Sequence, residues 1–228
     1  MSKQASRLRH LINALALWLS VSAWAAGIAA VDDRGKLVTL SAPAQRIVAL
    51  APSIAELVHA AGGGGRLVGV ARFSDYPPAA SEIPQIGDAS RIDLERVLAL
   101  KPDLVVAWKS GNQASDIERL EQLGFRLLVI EPATLAAIPR FLRALGRLSG
   151  SAAVAGSAAD TFATGITALR ERHANHSNVR VFYEIWHQPL MTVNGRHLIN
   201  DVIELCGGAN VFAGERTLTP VVSLESVI

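Results

Sequence analysis

The sequence predicts an α/β protein of two similar lobes joined by one long helix, and three features of its pattern carry that prediction. Short apolar runs alternate with helical stretches as far as Ile130. A helical stretch from Ser151 to His173 then runs without a break. After it, the opening pattern starts again at Arg180. Strand–helix alternation of this kind builds a parallel sheet with helices on its faces, so each lobe is expected to be Rossmann-like.

The 228 residues are 50% hydrophobic and 18% charged, enough apolar material for a real core in one domain or two small lobes. The N-terminus has the form of a signal peptide. Lys3, Arg7 and Arg9 precede an apolar run from Leu11 to Val21, and Ala23-Trp24-Ala25 fits a small-x-small cleavage site. The run is short for a membrane span, which needs about 20 apolar residues. No cysteine lies near the cut to carry a lipid anchor, so a periplasmic product is expected. Removing the three basic residues of the leader leaves 19 Lys+Arg against 20 Asp+Glu, where the whole chain has 22 and 20. There is no basic field to hold nucleic acid.

The first lobe reads in order. Lys36 to Leu40 is an edge-strand candidate, and Ile47 to Ala51 is an apolar strand opened by Arg46. Ser53 and Glu56 have capping-box spacing, which predicts a helix running to about Ala61 and stopped by Gly62 to Gly65. Leu67 to Val70 is the next strand, and Phe73 to Pro78 (FSDYPP) is a loop. Asp93 caps a helix from Leu94 to Leu100, with Ile92 and Val97 spaced as a hydrophobic staple. Pro102 ends it. Asp103 to Trp108 is a buried strand, Ile117, Leu120 and Leu123 form one helical face closed by Gly124, and Arg126 to Ile130 is another strand.

Two helices follow. Leu135 to Leu148 keeps helical spacing, with Pro139 kinking or delaying its start. Ser151 caps the second, in which Val154, Ala158, Phe162, Ile166 and Leu169 share one side; 23 residues at about 1.5 Å each give roughly 35 Å. Arg180 to Ile185 then repeats the Arg46 strand, Asn200 to Cys206 repeats the first helix with Gly207-Gly208 as its stop, and Ser223-Leu224-Glu225-Ser226-Val227-Ile228 echoes Asp93-Leu94-Glu95-Arg96-Val97-Leu98. The expected division is a leader over 1–25, an N-terminal α/β lobe over 26–133, a connecting helical segment over 134–174 and a C-terminal α/β lobe over 175–228. The chain stops inside the echoed helix, so the second lobe is expected to be truncated. Cys206 is the only cysteine, either a small buried hydrophobe or half of a pair.

No catalytic motif is present, neither a G-x-S-x-G elbow nor a P-loop, and no enzyme is expected. Gly62 to Gly65 follows a helix and precedes a strand, the reverse of a dinucleotide-binding order. His59, His173, His176, His187 and His197 have no ligand spacing, so no metal site and no cofactor are expected, although a metal receptor or a periplasmic enzyme stays open as an alternative. Asp75, Asp88 and Glu131 sit in loops as solvated or capping carboxylates. What remains is a cleft. Ligands of open α/β sheets bind beyond the carboxyl ends of the strands. Pro52 and Ser53, Phe73 and Tyr76, and Trp108 with its Lys109-Ser110-Gly111-Asn112 tail fall there in the first lobe; Trp186, His187 and Met191 fall there in the second.

At these residues the sequence resembles a known family. RIVALAPSIAELVHAAG, VGVARFSDYPP, IDLERVLALKPDLVVAWKSGN, YEIWHQPLMTVNG, INDVIELCGGANVF and VSLESVI are similar to the cobalamin-binding periplasmic proteins of ABC importers, which share a class with haem and ferric-siderophore receptors. The resemblance covers nearly the whole chain beyond the leader. It implies a rigid connecting helix, little closure on binding and no catalysis. It implies a ligand held between the lobes against Phe73, at a tyrosine position of the family, and Trp108. Met191 stands at a Phe position and Thr219 at a Trp position, departures that weaken the aromatic cage. It implies that Glu95 and Glu225 dock on the permease subunits, that Cys206 pairs with a cysteine further on than Ile228, and that the protein is a monomer. Haem or a ferric siderophore is the alternative ligand; Arg72 and Tyr76 are the nearby pair for its anionic groups.

Overall fold

The structure, a computed structural model, describes residues 28–88, 90–173 and 179–227. The leader read over 1–25 and His176 lie outside them. The strands are β1 (Ile28–Val31), β2 (Leu37–Leu40), β3 (Ile47–Ala49), β4 (Leu67–Val70), β5 (Gly87–Asp88), β6 (Arg91–Ile92), β7 (Leu104–Trp108), β8 (Leu127–Ile130), β9 (Val179–Val181) and β10 (Gly208–Asn210). The helices are α1 (Pro52–Ala60), α2 (Leu94–Leu100), α3 (Ala114–Gln122), α4 (Ile138–Ser149), α5 (Ala152–His173) and α6 (Leu198–Leu205).

The first lobe is an all-parallel four-stranded sheet in the order β4-β3-β7-β8. Alternate residues of a strand face opposite sides. Ile47, Ala49, Leu104, Val106, Leu128 and Ile130 enter one core, under α1, α4 and α5. Val48, Leu50, Val105, Ala107, Leu127 and Val129 enter a second, under Val97 of α2 and Ile117 and Leu120 of α3. Burial on both faces is why these strands read as continuous apolar runs. Asp103 closes the sheet's lower edge by accepting from the Gln45 and Arg46 amides at 2.8 and 3.0 Å. Arg46 returns the tie by donating through Nε to the Leu100 carbonyl at 2.9 Å.

Several expectations need correction. Ser53 is not a cap: Pro52 occupies the first turn of α1, where its fixed φ fits and its missing N–H costs nothing, so the N-cap moves back to Ala51. Leu123 takes the C-cap position of α3 instead of its buried face, and Gly124 at φ 85° turns the chain there. Pro139 sits in the first turn of α4, after a 3-10 turn at Leu135–Ala137, so it delays the helix without kinking it. The buried stripe of α5 is Ala155 and Ala159, while Val154 and Leu169 are exposed. Small residues win because α4 and α5 touch at close range: a Cβ on Gly146 would come within 2.2 Å of the Ala155 Cβ. Ser151 opens α5, its carbonyl accepting from the Ala155 amide at 3.0 Å, but its hydroxyl donates to the Ala61 carbonyl at 2.6 Å and ties α5 to the end of α1.

The repeat is structural. In the second lobe β9 and β10 pair in parallel with α6 between them in sequence, as β3 and β4 pair with α1 between them. Both helices stop at a glycine with φ 80°, Gly62 and Gly207. The strand expected over Arg180 to Ile185 is shorter, because its neighbour β10 pairs only with Val179–Val181. The echoed Leu-Glu helix is a 3-10 turn, Leu224–Ser226. The exposed Cys206 is free, so it is not the buried hydrophobe considered above.

Candidate functional site

A cavity of about 780 Å³ opens at the carboxyl ends of β3 and β7, within the about 300–1,000 Å³ usual for small-molecule sites. This is where the strand order of the first lobe reverses, the position that binds ligands in open α/β sheets. Its first-lobe wall holds Ser53, Tyr76, Trp108, Ser110 and Glu131. Ile138, Leu142 and Phe162 of the connecting helices form an apolar floor. The second lobe supplies Arg196, His197, Ile199 and Leu218.

Trp108 is the most firmly built of these. Its backbone amide donates to Asn112 Oδ1 at 2.7 Å, and Asn112 Nδ2 donates to the Leu50 carbonyl at 2.9 Å, so a buried amide ties the ends of β7 and β3 together. The indole rests on Gly111, where a Cβ would fall 1.9 Å from the ring. The indole Nε1–H donates to Glu131 Oε1 at 3.1 Å, and Ser110 Oγ donates to the same oxygen at 3.1 Å. Gly111 thus meets the ring itself, Asn112 holds its backbone, and Ser110 shares its carboxylate partner.

His197 is the N-cap of α6, its Nδ1 accepting from the Ile199 amide at 3.1 Å. Burial lowers its pKa from 6.5, with the charge of Glu131 pulling the other way. His59 is also pushed down by burial, and its Nε2 is buried without a hydrogen bond among the described residues.

Of the residues expected in the cleft, Ser53, Tyr76 and Trp108 line this cavity and Pro52 immediately precedes Ser53. Phe73, Trp186, Met191 and Thr219 do not line it. Phe73 is 72% exposed at φ 67°, with the Arg72 guanidinium 5.4 Å from its ring centroid. Trp186 is 62% exposed and faces Met191 across a tight hairpin, its indole N–H donating to the Gln188 carbonyl at 2.9 Å. Thr219 is exposed beside Pro220, whose carbonyl accepts from the Thr192 amide. Glu131 and His197, read as a solvated carboxylate and a scattered histidine, prove to be part of the wall. Glu131 directly follows β8, so the strand-end rule that selects Trp108 selects it too; His197 left no such signal.

Glu95 and Glu225 are exposed and lie in matching places. Each is the second residue after an N-cap whose side chain accepts from the amide three residues on, Asp93 from Arg96 at 3.0 Å and Ser223 from Ser226 at 3.3 Å. Hydrogen bonds from its own amide and from Ser223 hold the Glu225 pKa below 4.5. Among the described residues no cluster of three or more His, Cys, Asp or Glu could hold a metal, and no helix is long and apolar enough to cross a membrane.

The family described as periplasmic binding protein matches residues 47–228. The chain is 38% identical over 186 residues to a vitamin B12-binding protein of Vibrio cholerae, covering 82% of this chain and 67% of the relative. A vitamin B12-binding protein of Yersinia pestis is 39% identical over 193 residues, covering 84% and 69%. Among solved structures, the periplasmic vitamin B12 binding protein BtuF of Vibrio cholerae superposes with a TM-score of 0.77 at 38% identity, covering 81% and 72%. The periplasmic heme-binding protein RhuT from Roseiflexus sp. RS-1 superposes with a TM-score of 0.70 at 25% identity, covering 81% and 72%.

Proposed function

We propose that this chain, which belongs to the periplasmic binding protein family, holds a cobalamin between its lobes and delivers it to an ABC importer. The observation that carries this reading is a cavity of about 780 Å³ walled by both lobes, apolar along its floor and bearing one fixed indole in its wall. A corrin is broad and partly apolar, and an immobilised Trp buries such a ring at little entropic cost. The identity to vitamin B12-binding relatives supports cobalamin over other bulky ligands.

Residues 1–25 act as a cleaved leader to the periplasm. Ser53, Tyr76 and Trp108 touch the ligand from the cavity wall, and Phe73, Trp186, Met191 and Thr219 add contacts from outside that lining. Glu95 and Glu225 dock on the permease, one carboxylate from each lobe, and no chemistry is done on the ligand. Equilibrium dialysis against a mixture of cyanocobalamin and haemin tests the choice of ligand. Retention of about one cyanocobalamin per chain is expected; retention of haemin instead would overturn the reading.

A further inference from the structure

Resting on cobalamin as the ligand, the geometry points to Glu131 and His197 as an acceptor–donor pair, one from each lobe, that recognises a primary carboxamide on the ligand's rim. A carboxamide presents an NH₂ donor and a C=O acceptor side by side. Both Trp108 and Ser110 donate to Oε1 of Glu131, and Oε2 takes no hydrogen bond among the described residues. That oxygen is an acceptor on the cavity wall. His197 supplies the complement. Its Nδ1 accepts from the Ile199 amide, so the neutral ring carries its proton on Nε2 and offers an N–H from the edge left for the cavity it lines. Burial lowers the pKa of that ring and so favours the neutral form, in which Nε2 is the donor.

The two residues are held in register. The Leu135 amide, on the loop that Glu131 begins, donates to Asp201 Oδ2 of α6 at 2.6 Å, and His197 caps that same helix. Cobalamin carries primary carboxamides around its ring, so the pair has a target. It also gives the site a means of rejection. A ligand with a carboxylate in place of that amide would set its charge against Glu131, and like charges brought together in a partly desolvated site are strongly unfavourable.

The test compares cyanocobalamin with its isomeric monocarboxylic acids, each with one peripheral amide hydrolysed, by calorimetric titration. One isomer is expected to bind the unaltered protein at least about tenfold more weakly than cyanocobalamin. Glu131→Gln keeps an oxygen for Trp108 but removes the charge, and should bring that isomer to within about twofold of cyanocobalamin. His197→Asn keeps a good helix cap while shortening the donor; it should weaken both ligands by about five- to twentyfold and leave the preference intact. If cyanocobalamin binds but every monoacid matches it, or Glu131→Gln leaves the preference unchanged, the pair does not read an amide. If cyanocobalamin does not bind the unaltered protein at all, the cobalamin reading itself fails, and this inference with it.

Discussion

One residue shows the cost of building this surface. Phe73 holds a bulky side chain in the left-handed region, where each residue other than glycine loses about 1–2 kcal/mol, and it leaves most of the ring in water. Neither feature stabilises the fold, so the residue is kept for what meets it. Phe73→Gly is expected to leave thermal stability unchanged or higher, since glycine fits that φ freely, and to weaken cobalamin binding. A loss of stability with unchanged affinity would assign Phe73 to the fold. Histidine burial makes a pH prediction. His59 and His197 have folded pKa values below 6.5, so the unfolded chain takes up protons that the folded chain refuses. Stability is therefore fully present above about pH 6.5 and is lost as the pH falls through the depressed values. The urea midpoint should be lower at pH 5 than at pH 7, and His59→Leu should shrink that difference; an equal difference in the variant would clear His59. Asp32 and Glu121 are also held below their ordinary values, where hydrogen bonds from Arg34 and Lys36 outweigh burial, so they add to the loss only at more acid pH.

The elements of the first lobe were legible because burial on both faces writes each strand as an unbroken apolar run. Val48 and Ile47 go to opposite cores and are both apolar. Helix faces were less legible. The stripe of α5 was assigned to its largest apolar residues, but the contact with α4 is set by Gly146 against Ala155, and small residues leave almost no hydropathy signal. Gly146→Ala should cost about 1–3 kcal/mol in thermal or urea unfolding by forcing the two helices apart; an unchanged midpoint would show that they are free to separate. The cap was legible at Asp93, where a short polar side chain does the work, and misread at Ser53, where Pro52 had already set the start of the helix. The matched placement of Glu95 and Glu225 is an element-scale argument for docking, since both cap geometries present one carboxylate in the first turn. Replacing both with Lys should abolish uptake in cells while cobalamin binding in solution stays within about twofold. Persisting uptake would remove docking from these two residues.

At the scale of the whole molecule, the site exists only because the two lobes and the connecting helices meet around one space. The sequence marks the ends of strands, and so it pointed to Tyr76, Trp108 and the start of α1. It does not mark which loops of distant segments converge, so Glu131 and His197 became visible only in three dimensions. The apolar floor of Ile138, Leu142 and Phe162 was read as helix packing, because a residue facing a ligand cavity and one facing a core have the same hydropathy. On this proposal Trp108, fixed by Gly111, Asn112 and Glu131, anchors a cobalamin between the lobes. Calorimetric titration of cyanocobalamin into the protein and into Trp108→Ala tests it most directly. About one site per chain is expected, with a loss of about 1–3 kcal/mol, roughly five- to 150-fold in affinity, in the variant. No binding by the unaltered protein, or the same affinity in both, would contradict it.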